Sequence, residues 1–342
     1  MEQVATTSSH EGRLKLLKTL PGFAISIFFL WWTFRGFHLS EFRTVRLAAP
    51  LWILGVVLFS ICGYGTRCYR WWLMLRSVKS RFSACARIFL TSLAANNILP
   101  FRIGDVMRIF TYSDDLNATP SVILSTVLLE KFLDVFSLAV LFVLTMNTGK
   151  AVSHHLRIAA EVGMGVSTAG LVVMVFGART LEPVIKRAFE KTQNAKLAKV
   201  EHWIVLAIDC IRQIGIPGTL FLILVSFVCW AFEGLLYLSA LRLIGLRTDW
   251  AGPWQAVSQA NLSFLIPSSP GGIGPFEWAC TDALMRHGTT HASAAIFGLL
   301  IHAWLLVSIT AVGGGWFLAH RLHRARRRPL VEELETLPAE LP

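Results

Sequence analysis

Charge is scarce in this chain. Only 15% of its 342 residues are Asp, Glu, Lys or Arg, where soluble domains carry roughly 25%. The deficit argues against a soluble enzyme. It is gathered into long charge-poor stretches, the pattern expected where lipid is the solvent. Acids are scarcer than bases, 21 against 32, for a formal net charge of +11. That excess reads as basic cytoplasmic loops facing an anionic lipid surface, with no nucleic-acid partner. Cysteine pairing is missing: six cysteines stand apart with no CxxC, against a disulfide framework or a zinc site. Ligand sets for a metal are missing too. His287 and His291 flank Gly288, Thr289 and Thr290, which read as loop, and no Asp, Glu or Cys completes a set nearby. Gly271-Gly272-Ile273-Gly274 follows no strand, so it is not a dinucleotide fingerprint. No nucleophile–base arrangement stands out. The chain is expected to hold no cofactor and no metal, and to have no catalytic residues.

What is present is hydrophobic length. Apolar runs cover 19–34, 47–66, 119–146, 162–178, 214–241 and 292–319, and a span takes about 20 helical residues. The second run leads into an aromatic and basic collar of Tyr69, Arg70, Trp71, Trp72 and Arg76. No small-residue cleavage site follows the first run, so it reads as a retained helix rather than a signal peptide. Two further apolar regions are interrupted. One, 83–112, contains Asn96, Asn97, Pro100, Arg102, Gly104 and Asp105; the other, 251–287, contains Asn261, Pro267, Pro270, Gly271, Gly272, Gly274, Pro275 and Glu277. Proline removes a helix donor and glycine loosens the backbone, so each region reads as two half-length helices around an irregular centre. Bare backbone cannot face lipid, so both centres must face protein or a wet cavity.

The predicted fold class is therefore all-α and polytopic, with about six full spans and two broken, re-entrant segments. Basic residues cluster before the first run and after the second, fourth and sixth, which places both termini in the cytoplasm. The first broken region then dips in from the cytoplasm and the second from outside. Both read, in order, asparagine, apolar run, proline, glycine, carboxylate. An odd number of full spans lies between them, which makes an inverted repeat and points to a transporter's substrate site. Residues 1–18 read as a cytoplasmic segment, 19–320 as the transmembrane domain, and 321–342 as a basic then acidic cytoplasmic tail ending in disorder. Within the domain, 183–213 has the apolar spacing of an amphipathic helix on the inner membrane surface.

The third run carries Glu130, Lys131 and Asp134, and the fifth carries Glu233. Each charge near mid-membrane costs roughly 2.5–3.5 kcal/mol on the insertion scale, so all must face the bundle and find partners. Arg102 and Arg108, beside the first break, are the available counter-charges. The group serves either as a structural ion-pair network or as a substrate or proton site.

At these residues the chain resembles a known family. Asn97-Ile-Leu-Pro100-x-Arg102-x-Gly104-Asp105-x-x-Arg108, then Glu130-Lys131-x-x-Asp134, then Pro270-Gly271-Gly272-x-Gly274-x-x-Glu277 are similar to the lysylphosphatidylglycerol synthase transmembrane-region family, also called flippase-like. The likeness covers nearly the whole chain from first to last span. The family pattern commonly has Glu where Asp105 stands, which keeps the charge. The family includes the membrane half of bacterial enzymes that make and flip lysylphosphatidylglycerol, and stand-alone members tied to lipid-linked sugars or hopanoids. The resemblance implies lipid translocation. Only a short tail follows the last run, so synthesis of an aminoacylated lipid is not expected of this chain.

The expected substrate is a phosphate-containing membrane lipid. Arg102, Arg108 and a half-helix N-terminus after Pro100 would attract phosphate, as would backbone amides over 271–274. Asp105, Glu130, Lys131, Asp134, Glu233 and Glu277 complete the candidate charges. Glu130, Asp134 and Glu233 would hold a cationic head group or protons. Asn97 and Asn261 would bind substrate or satisfy backbone freed at the breaks. Two other classes stay open: a small-solute secondary transporter, and a non-transporting partner of a lipid-modifying enzyme.

Overall fold

The computed structural model describes residues 20–44, 46–189 and 195–335, and its regular structure there is helical throughout. In chain order the helices are α1 (Leu20–Phe34), α2 (Trp52–Met74), α3 (Phe82–Ile98), α4 (Ile103–Phe110) and α5 (Ser113–Leu116). There follow α6 (Pro120–Thr145), α7 (His154–Phe189), α8 (Ala195–Leu243), α9 (Gly252–Leu262), α10 (Pro275–Arg286) and α11 (His291–Glu335). Among the described residues, Trp52–Met74, His154–Val173, Arg212–Leu243 and His291–His323 are long and apolar enough to cross a membrane; α1 is apolar but shorter. Helix α6 has 26 residues, about 39 Å at 1.5 Å per residue. Its three charges, not its length, set it apart.

Helix α2 continues eight residues beyond the 47–66 run and absorbs the expected basic collar. Its lipid side is Leu54, Leu58 and Ile61, all largely exposed. Its inner side buries Ser60, Gly63, Arg70 and Trp71. The helix is therefore amphipathic with its polar groups inward, which is possible because lipid rather than water bathes the outside. Arg67 and Arg70 are interior residues of this helix and not loop charges.

Both interrupted regions fold as pairs of half-length helices. Helix α3 ends at Ile98, and Leu99 turns extended before Pro100 (φ −97°, ψ 141°), as the residue preceding a proline tends to do. Helix α4 then runs back against α3. Gly104 makes that approach close: a Cβ there would lie 2.0 Å from the carbonyl oxygen of Ser92. Gly104→Ala should thus force α3 and α4 apart and lower stability by about 1–3 kcal/mol or more. A drop in melting temperature of the purified protein checks this, and an unchanged value would contradict the packing. In the second region α9 and α10 pack together. Their link contains Gly271, Gly272 and Gly274, all at positive φ. Gly274 lies so near α1 that a Cβ would meet the Ser26 carbonyl at 2.5 Å.

Each hairpin carries its own core. Trp71, Ile88, Phe89, Ile123 and Leu133 form one around α3 and α4; Tyr237, Val257, Phe276 and Phe297 form the other around α9 and α10. Helix α8 is interrupted at Gly215 (φ 63°, ψ −177°), two residues before Pro217, which cannot donate to the preceding turn. Of the expected surface helix over 183–213, residues 190–194 lie outside the described ones; the backbone is helical on either side, up to 189 and from 195. Helix α11 continues to Glu335, so the acidic residues expected in a disordered tail begin inside a helix. Arg, Leu and Glu are strong helix formers and carry it that far. Residues 336–342 lie outside the described ones.

Candidate functional site

The two breaks meet at one cavity of about 880 Å³. The first contributes Asn97, Pro100 and Arg102, the second Pro270, Gly271 and Gly272. The breaks also touch directly, since Arg102 Nη2 donates to the Phe264 carbonyl at 3.1 Å. Much of the remaining wall is apolar, including Phe89, Leu93, Leu138, Trp230, Phe264 and Leu305.

Charge enters the cavity in matched pairs. Arg67 of α2 donates to Glu233 of α8 and lies over the Trp230 ring at 4.7 Å. Arg70, one turn further along α2, donates to Asp134 at 2.7 Å and to Ser226 at 2.9 Å. Arg108 Nη1 and Nη2 reach the two carboxylate oxygens of Glu130 at 3.1 and 3.4 Å, and Nη2 lies 3.5 Å from Asp105. Lys131 stands 3.3 Å from Asp105 and 3.7 Å from Glu130. Four cations thus face four carboxylates. Arg102 is different. Among the described residues it has no carboxylate partner, and its guanidinium rests 5.7 Å from the Phe264 ring centroid. It also adopts the left-handed region (φ 52°, ψ 41°), which costs a side-chain-bearing residue roughly 1–2 kcal/mol.

The candidate residues divide into wall and support. Asn97, Arg102, Asp105, Glu130, Lys131, Asp134, Glu233, Asn261, Gly271 and Gly272 line the cavity; Arg108, Gly274 and Glu277 do not. Arg108 is fully buried behind Glu130, between the rings of Trp71 and Phe89. Glu277 caps α10 by accepting the Gly274 N–H at 2.7 Å. Asn97 donates to the Leu306 carbonyl and Thr310 hydroxyl of α11 at 3.3 and 3.1 Å. Asn261 holds Glu233 at 2.9 Å. The expected anion-attracting backbone is partly taken. At the start of α4, Asn96 accepts the Asp105 N–H at 3.3 Å. In the second break the Gly272 N–H goes to Ser269 at 3.0 Å, and Gly274 donates to Glu277. Among the described residues Arg102 is left as the cation at the breaks with no carboxylate partner.

Three basic residues of the wall escape a reading of the sequence: Arg67, Arg70 and His302. The signal for the arginines lies in the acids. Glu130, Asp134 and Glu233 need three internal cations, and the first break supplies only Arg102 and Arg108. Apolar residues continuing past Thr66 to Met74 also say that the helix does not end before Arg67. His302 is a single histidine in an apolar run and gives no such signal.

Helices of membrane-crossing length around an internal charged cavity define an all-helical membrane protein. The chain belongs to the lysylphosphatidylglycerol synthase TM region family, whose model matches residues 20–313. Comparison with curated proteins and with solved structures finds no match.

Proposed function

We propose that this protein is a lipid translocase, moving a phosphate-containing lipid across the membrane through the cavity between the two breaks. One observation carries the reading: among the described residues, four cations in and behind the cavity wall pair with four carboxylates, while Arg102 faces the cavity with only a backbone carbonyl as its partner. An anionic head group meets that cation, and the apolar wall suits the chain of an amphiphile. A phospholipid, an aminoacyl-phospholipid and a polyprenyl or glycolipid all present the phosphate. A cationic amine on the same head group would meet Asp134 or Glu233. Arg67 and Arg70 would first have to release those carboxylates.

We assign movement rather than synthesis, although the family's description names a synthase. Among the described residues, neither buried histidine offers a free ring nitrogen to a nucleophile. His302 is held by Glu277 and Gly271, and His287 by Asp249 and Gln255. In the same reading α1, α2, α6, α7, α8 beyond Gly215, and α11 cross a bacterial inner membrane. The α3–α4 and α9–α10 hairpins enter it from opposite sides, as an inverted repeat. Both termini and the segment near Lys191 face the cytoplasm, where basic loops meet anionic lipid.

Two measurements test this. Single-cysteine labelling of intact cells should leave positions near 191 and 326 unreactive to impermeant reagents; ready labelling of both from outside would remove the inverted orientation. Mass spectrometry of lipid extracted from the purified protein should find a phosphorus-containing lipid enriched over the bulk membrane. Its absence, with solute uptake by vesicles holding the protein, would make this a small-solute transporter. Its absence with a stably bound lipid-modifying enzyme would make it a non-transporting partner.

A further inference from the structure

Glu277 and His302 stand outside the ion-pair network, yet each side chain is only 3% exposed. His302 Nδ1 lies 2.6 Å from Oε1 of Glu277, and its Nε2 lies 2.9 Å from the carbonyl oxygen of Gly271. The other carboxyl oxygen of Glu277 accepts the Gly274 N–H at 2.7 Å. The ring is stacked on Phe276 at 4.0 Å between centroids. One of these contacts has a fixed polarity that decides the others. A carbonyl oxygen only accepts, so Nε2 must carry a hydrogen. A hydrogen must also lie between Nδ1 and Oε1, on the ring or on the carboxyl. Neutral imidazole beside an ionised carboxylate supplies one hydrogen where the geometry requires two. The pair therefore holds one extra proton, and with it a net charge of zero, the inexpensive state for a buried pair.

We propose that Glu277 and His302 form a proton-binding site whose occupancy sets the conformation of the second break. The geometry of release is specific. His302 lines the cavity, so the departing proton goes to water there. What remains carries one negative charge and one ring hydrogen. Either the Nδ1 lone pair then opposes the carboxylate, or the Nε2 lone pair opposes the Gly271 carbonyl. Each arrangement breaks one of the two links tying α11 to the break. Gly271 sits at φ 72°, and the same segment is pinned to α1 by the Ser269 N–H on Ser26 at 2.9 Å. It reaches the first break through Phe264, whose carbonyl takes Arg102. Proton loss would thus loosen the wall opposite the unpaired cation.

Few other ionisable groups face this pair. Helices α1 and α9 contain none; α3 has Cys85, which is buried, and Arg87, which is paired with Asp115; Tyr64 of α2 lines the same cavity; and Asp282 and Arg286 of α10 pair with each other. Cys280 lies one turn along α10 and Tyr237 of α8 lies beyond it. Arg102 stands across the Phe264 ring, and the Arg67–Glu233 pair shares the cavity. The inference goes beyond lipid movement. Its test reads a property of the folded chain, so it stands or falls separately from that proposal.

The test is amide hydrogen exchange of the segment 266–274 in detergent, from about pH 5 to about pH 9 and corrected for intrinsic rates. Wild-type protection should fall about ten-fold or more as pH rises, because the proton is bound at the acid end and lost at the alkaline end. Glu277→Gln imitates the loaded carboxyl: its amide donates to Nδ1 and its oxygen accepts the Gly274 N–H. That variant should stay protected throughout. His302→Gln should abolish the titration, and it decides the matter if Glu277→Gln does not fold. Wild-type protection that is flat across the range overturns the proposal. So does a wild-type titration that persists in either variant.

Discussion

Arg102→Ala should fold nearly as well as the wild type and lose about ten-fold or more of its lipid movement. The side chain is exposed to the cavity and takes no carboxylate among the described residues, so removing it orphans no buried charge. The lost contacts are one hydrogen bond to the Phe264 carbonyl and a place over the Phe264 ring, together worth about 1–2 kcal/mol. The backbone sharpens the test. Arg102 sits in the left-handed region, where glycine pays no steric penalty. Arg102→Gly should therefore be closer to the wild type in stability than Arg102→Ala, yet equally inactive. Arg102→Lys should restore little, because lysine offers a point charge where a phosphate bound bidentately needs a planar fork. Normal lipid movement by well-folded Arg102→Ala would remove this residue from the site.

Arg108→Ala should fail in the opposite way. Its guanidinium is fully buried and holds Glu130 by two hydrogen bonds. Truncation leaves Glu130, whose side chain is only 3% exposed, with Lys131 at 3.7 Å as its remaining close cation. Breaking a buried pair from one side costs roughly 3–5 kcal/mol. The variant should express poorly or melt many degrees early. Replacing both partners, Arg108→Met with Glu130→Met, should recover much of the loss, because no unpaired charge remains and Asp105 keeps Lys131 at 3.3 Å. Thermal melting of the two single variants and the double variant gives the coupling directly. A stable Arg108→Ala would mean that water reaches Glu130, and would return Arg108 to the cavity wall.

The contrast between these arginines was only half legible in the sequence. The breaks themselves were plain, because Pro100, Pro270 and the glycines around them act on the local backbone whatever surrounds them. That buried acids in α6 needed partners was also plain, from the energy of charge in lipid. Which cations serve them was not. Arg67 and Arg70 follow an apolar run among Tyr69, Trp71 and Trp72, the same composition as an interfacial belt. Only packing of α2 against α8 turns them inward. Arg102 and Arg108 lie six positions apart and look equivalent as symbols. The left-handed turn at Arg102 sends one to the cavity and the other to the core. The capping role of Glu277 depends on Gly274 beginning a helix, and its link to His302 joins residues 25 apart. No local pattern announces such a pairing.

The central claim is that this chain moves a phosphate-bearing lipid. It is tested most directly in sealed vesicles holding the purified protein and a phospholipid with a fluorescent head group on both leaflets. A membrane-impermeant quencher is added outside. Protein-free vesicles should lose only the outer half of the signal. Vesicles with the wild type should lose nearly all of it, and those with Arg102→Ala, folded and incorporated equally, should match the protein-free control. Loss stopping at the outer leaflet with the wild type, for phospholipid and for other phosphate-bearing lipids alike, would contradict the account.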